Sequence, residues 1–153
     1  MSTVEDRLSA VGLVVPTVVP PLAAYVPAVV SGRFVYTAGQ LPFVDGALPT
    51  VGKVGAEVTP ERAAELAAIC ALNAIAAVKS VVDLDRVVRV VKVVGFVACL
   101  PEFTGQPAVV NGASNLLKEA FGDAGVHARS AVGVAALPMN ATVEVEMIVE
   151  VAD

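Results

Sequence analysis

Arg129 is the residue whose type and neighbours best suit it to bind an anion. It opens a run of small and apolar residues, Ser130 to Ala136, rather than lying on a charged helix face. A guanidinium fixed at the head of such a run can hold a carboxylate through two parallel hydrogen bonds. The same arginine could instead pair with a surface Glu or Asp, and the residues alone leave both readings open. Glu144 and Glu146 read as solvated members of an amphipathic strand. His127, the sole histidine, reads as a loop residue with no second group at an obvious partnering distance.

Several reaction classes lose their usual support. One histidine cannot build a His-rich metal cluster, no glycine-rich phosphate loop follows a strand, and no GxSxG elbow is present. We therefore expect no metal and no bound nucleotide. Cys70 and Cys99 form no CxxC and have no histidines around them, so they read as buried small apolar residues rather than a disulfide or zinc pair. A net charge of -5 and a pI near 4.8 provide no basic footprint for a phosphate backbone, which argues against nucleic-acid binding.

The elements that must carry these residues are legible in outline. A chain of 153 residues fits one domain with its own core, here 1-153 with an N-terminal arm over 1-22. Hydrophobic residues make up 56% and mean hydropathy is +0.76, more apolar than soluble domains usually are, which suggests burial in subunit interfaces. Leu8 to Gly32 carries no charge and is long enough to span a bilayer, but Pro16, Pro20, Pro21 and Pro27 leave no uninterrupted helix. Glu5 and Asp6 stand where a signal peptide would be positive, so a cytoplasmic protein is expected.

Tyr25 to Val30 and Arg33 to Thr37, joined by Ser31-Gly32, predict a hairpin. Thr59 as N-cap and Pro60 at the first position start an alanine-rich helix running to about Val81, suited to close packing. Val87 to Val97 has seven valines in eleven residues and predicts a central strand, although Arg86, Arg89 and Lys92 do not alternate cleanly. A second helix, about Ala108 to Phe121, puts Val109, Ala113, Leu116, Leu117 and Ala120 on one stripe, and Gly122 is placed to end it. Ser130 to Ala136 and Val143 to Val151 predict the last two strands. The order ββαβαββ implies an α+β layer, with helices on one sheet face and the other free to pack elsewhere.

The C-terminal stretch adds a resemblance. His127-Ala128-Arg129-Ser130, Leu137-Pro138 and Val143-Glu144-Val145-Glu146, with Tyr25, Thr37-Ala38-Gly39-Gln40, Leu41-Pro42 and Asn111 upstream, resemble the RidA family, also called YjgF or L-PSP. The resemblance covers about Ala23 to Val151. It implies a chorismate-mutase-like α+β fold, a mixed sheet with two helices on one face, assembled as a homotrimer with ligand pockets between subunits. It also implies hydrolysis of reactive 2-imino or enamine acids, released by pyridoxal-phosphate enzymes, to 2-keto acids and ammonia, a reaction that needs no cofactor because the imine carbon is already electrophilic. By position, Arg129 would hold the substrate carboxylate, Glu144 would place or activate water, and Tyr25, Gly39 and Asn111 would shape the pocket.

This chain departs from the family pattern at Ala38, where serine is common, at Ala23-Ala24 before the tyrosine, at Ala131, and in the extended segments 47–58 and 99–107. Two other functions therefore stay open: a trimer that binds or senses small carboxylates without turnover, and the ribonuclease or translation-inhibitor role long attached to the family. If the last two strands formed a simple hairpin, Glu144 would lie opposite about Val134 and Arg129 five residues further on, roughly 16 Å away. Either the two residues cooperate across two chains, or the strands do not pair so simply.

Overall fold

Twelve residues, Val87–Ala98, form the strand around which the other elements are arranged. In the computed structural model, which describes residues 3–18, 20, 21 and 23–153, the order is α1 (Val4–Ala10), β1 (Ala28–Ser31), β2 (Phe34–Thr37), α2 (Pro60–Lys79), β3 (Val87–Ala98), α3 (Gln106–Phe121), β4 (Ala128–Val134) and β5 (Val143–Val151). The strands make one mixed sheet in the order β1-β2-β5-β3-β4. β3 pairs antiparallel with β5 on one side and parallel with β4 on the other. Two register shifts, between Val87 and Arg89 and between Val90 and Lys92, explain why its basic residues break the alternation.

β4 and β5 do not form a simple hairpin, because β3 lies between them. Parallel pairing of β3 and β4 needs a long crossover, and α3 supplies it. β5 then fills the gap between β2 and β3, where its alternation fits two neighbours at once. Val143, Val145, Met147, Val149 and Val151 are buried beneath the helices, while Glu144, Glu146, Ile148 and Glu150 turn half-buried to the other face.

Thr59 caps α2 by accepting a hydrogen bond from the Arg62 amide at 3.1 Å, with Pro60 in the first turn. Ala63, Ala67, Ala71 and Ala74 let this helix lie close to α3 and the sheet, and Leu66, Ile75 and Val78 fill the core between them. On α3, all five residues of the expected stripe are buried, joined by Val110 and Phe121. Cys70 is fully buried, and burial pushes its thiol well up. Cys99, just past the end of β3, is only half-buried and packs against the core from outside it.

Reading residues 1-22 as an arm missed α1. Thr3 Oγ1 accepts from the Asp6 amide at 3.0 Å, and the Asp6 carboxylate accepts from the Thr3 amide at 3.1 Å. That reciprocal box was present in sequence as Thr3-Val4-Glu5-Asp6. The bond from the Thr3 amide holds the Asp6 carboxyl below its ordinary value. Val4 and Leu8 join the core, and Arg7 donates to the Ala120 carbonyl of α3. Among the described residues, no helix is long and apolar enough to cross a membrane.

Candidate functional site

Glu144 enters the site at the start of β5. The backbones of Gln40 and Val145 exchange two hydrogen bonds, of 2.8 and 3.0 Å, and so lay Gly39 against the strand. The Glu144 side chain lies over Gly39, where an added Cβ would come within 2.2 Å of Oε1. Only glycine fits there without moving the carboxylate. Tyr25, Leu41, Phe43, Pro138 and Met139 share the pocket that Glu144 faces. Buried Asn73 on α2 fixes one wall, its amide donating to the carbonyls of Leu41 and Phe43 at 3.0 Å each. Another part of the rim is held under backbone strain, because Met139 and Asn140 are both left-handed, at φ 58° and 57°.

Burial raises the Glu144 carboxyl above its ordinary value, and the neighbouring Glu146 charge adds to the effect. The folded chain thus holds this proton more tightly than the unfolded chain. Stability falls as pH rises from the ordinary carboxylate value through the raised one, and the penalty persists above it. Glu144→Gln removes a charge that this environment disfavours. The variant is expected to melt somewhat higher than the wild type at about pH 7.5, with the gap closing near about pH 4. Scanning calorimetry at the two pH values checks this, and a wild type that melts higher at the upper pH would contradict it.

Arg129 lies elsewhere. Its register partner on β3 is Val93, buried under the helices, so the guanidinium emerges on the helix side of the sheet. There Nη1 donates to Ser114 Oγ at 3.1 Å and Nη2 to the Pro107 carbonyl at 3.2 Å, both on α3. Among the described residues, no carboxylate lies within ion-pair distance of it. Asn111 is exposed on the helical stripe that also carries Pro107 and Ser114.

Glu144 is the partner of Phe96 and points to the opposite face. The two residues stand on the strands flanking β3 and three positions apart along it, roughly 14 Å between their Cα atoms. The structure therefore brings Tyr25, Gly39 and Glu144 into one group and Asn111 and Arg129 into another. Within one chain the groups do not meet.

His127 has the partner that sequence reading failed to find. Its Nε2 is 2.9 Å from Ser114 Oγ, and its Nδ1 is 2.6 Å from the Gly125 carbonyl. Ser114 lies on another element, and only the crossover geometry brings it to the histidine.

The chain matches a family model described as "YjgF/chorismate_mutase-like, putative endoribonuclease" over residues 5–151. It is similar to protein TCP17 of Trypanosoma cruzi, at 42% identity over 149 residues, covering 96% of this chain and 93% of that one. Among solved structures, it resembles protein Atu1372 of Agrobacterium tumefaciens, described as of unknown function. That match has 44% identity and a TM-score of 0.92, covering 99% of this chain and 94% of that one. A Shewanella oneidensis MR-1 protein carrying the same endoribonuclease label superposes at a TM-score of 0.95 with 32% identity, covering 98% and 100%. The family match spans both groups of site residues and every strand of the sheet, and the chain belongs to the YjgF/chorismate-mutase-like family.

Proposed function

We propose that this protein hydrolyses reactive 2-imino acids, and their enamine tautomers, to 2-keto acids and ammonia in pockets built between subunits of a homotrimer. The observation that carries the reading is Arg129, a guanidinium braced against α3 with no carboxylate partner among the described residues. An anionic substrate supplies that partner. Three of its five N–H groups remain for a carboxylate. Tyr25, Gly39 and Glu144 of the neighbouring subunit supply the other half, and Asn111 stands beside the anchor.

The chemistry asks little beyond orientation. The imine carbon is already electrophilic, so holding the carboxylate aims C2 at a water beside Glu144. Glu144 takes a proton from the water as its oxygen bonds to C2. The carboxylic acid returns the proton to the nitrogen, giving a carbinolamine. Its hydroxyl then passes its remaining proton through Glu144 to the nitrogen as the C=O bond forms and the C–N bond breaks, leaving keto acid and ammonia. A carboxyl whose proton affinity is raised by burial suits both transfers.

Trimerisation is supported by the sheet face that none of the described helices covers. Phe34, Tyr36 and Val132 are exposed on it, with Val94, Phe96 and Ile148 half-buried among them. An apolar face of this kind calls for a cover, and a second copy of the chain is the reading we adopt.

The test follows decay of 2-iminopropanoate generated in place by a serine dehydratase. Faster keto-acid release with the protein present is expected. Tight pyruvate binding without acceleration would replace the deaminase by a trimer that only captures small carboxylates. Cleavage of RNA in place of imine hydrolysis would restore the endoribonuclease description of the relatives.

A further inference from the structure

Ser114 and His127 have no part in the proposed reaction, yet with Arg129 they form a connected polar cluster at the junction of α3 and β4. The Gly125 carbonyl can only accept, so the 2.6 Å contact puts a proton on His127 Nδ1. In the neutral ring, Nε2 is then an acceptor. The single hydroxyl proton of Ser114 points to it across 2.9 Å. That direction exposes the oxygen lone pairs of Ser114 to Arg129 Nη1, 3.1 Å away. The chain of donors runs from Arg129 to Ser114 to His127 to the Gly125 carbonyl.

The end of the chain is itself fixed by packing. A Cβ on Gly125 would meet the Leu117 carbonyl of α3 at 2.2 Å, so only glycine lets this turn approach the helix and place its carbonyl beside the histidine. With Pro107 O holding Nη2 at 3.2 Å, the guanidinium plane is defined at two points rather than one. A free hydroxyl rotor could turn its proton towards Arg129 and repel it. The histidine removes that option.

We propose that Ser114 and His127 are positioning residues that fix the rotation of the Arg129 guanidinium and aim its remaining N–H groups at a ligand carboxylate. The ligand half of this proposal rests on the reading of Arg129 as a carboxylate anchor. The orientation half stands on the cluster alone.

Nitrogen-15 NMR of the wild type, Ser114→Ala, Ser114→Thr and His127→Ala tests both halves, with Arg129→Lys used to assign the Arg129 signals. Because the chain has one histidine, its imidazole gives a single set of resonances. Expected are, wherever the ring is neutral, the Nδ1–H tautomer, and distinct Nη resonances for Arg129 in the wild type. The Nη signals should average together in Ser114→Ala and His127→Ala and separate again in Ser114→Thr, which keeps a hydroxyl. Pyruvate affinity, by calorimetry, should fall about tenfold in Ser114→Ala, the effect of one hydrogen bond to a charged group. It should return to within about twofold in Ser114→Thr.

A neutral ring protonated at Nε2 overturns the proposal, as do Nη signals that stay distinct in Ser114→Ala. It also fails if Ser114→Ala binds pyruvate as the wild type does while Arg129→Ala does not. Pyruvate bound as tightly by Arg129→Ala as by wild type would sink the anchor reading instead, and the orientation half is then decided by the Nη signals.

Discussion

Arg129→Ala is expected to lower kcat/KM for 2-iminopropanoate by at least about 100-fold, with the circular dichroism spectrum and melting temperature nearly unchanged. A carboxylate held by a guanidinium makes charge-assisted hydrogen bonds of about 1.5–3 kcal/mol each, and a bidentate pair loses both at once. The fold has little stake in the head group, which is partly exposed and, among the described residues, hydrogen-bonds only to Ser114 and the Pro107 carbonyl of α3. Arg129→Lys should recover only part of the loss, because an ammonium supplies the charge without the fork. Initial rates of keto-acid release for the three proteins decide the matter. An Arg129→Ala enzyme within about threefold of the wild type would remove the anchor from the mechanism.

The second expected result is larger in kind, since it restores what mutation removed. Arg129 and Glu144 lie on opposite faces of the sheet, on either side of β3. If each pocket takes Arg129 from one subunit and Glu144 from its neighbour, Arg129→Ala and Glu144→Gln are both inactive alone and complement each other when mixed. Random assembly of an equal mixture leaves about one interface in four with both residues intact. Activity should therefore rise from near background to roughly a quarter of wild type after the two variants are unfolded and refolded together. Mixing without exchange of subunits should give none. A co-refolded mixture as inactive as its parents would mean that the two residues do not share a site between chains.

Most of the architecture was legible because its signals are local. The alternation of β5 reads directly from Val143 to Val151, the Thr59-Pro60 start of α2 is a capping pattern, and Gly122 closes α3 where the stripe ends. The order ββαβαββ followed from these, with α1 added in front. Strand neighbours were another matter. Which strand lies beside β4 depends on the crossover through α3 and on β5 entering between β2 and β3, and no local pattern encodes either. The same limit governs the site. Tyr25, Gly39 and Glu144 come together because Gln40 pairs with Val145, and Ser114 meets His127 because α3 folds back over β4. Sequence nominated the residue types, and tertiary pairing sorted them into two groups.

The two irregular steps in β3 set where the gene can tolerate a lost or gained codon. Both lie in its first half, at Val87/Arg89 and Val90/Lys92, where the ladder with β5 already absorbs a mismatch. From Val93 to Val97 the pairing with both neighbours is unbroken. A codon deleted there would turn the following side chains over on the pleat, sending the buried Val97 outward and Phe96 into the core. Length variation among natural or engineered versions of this chain should accordingly gather before Val93 and in the turns, leaving Val93 to Val97, the part of β3 that spaces the partners of Arg129 and Glu144, fixed in length.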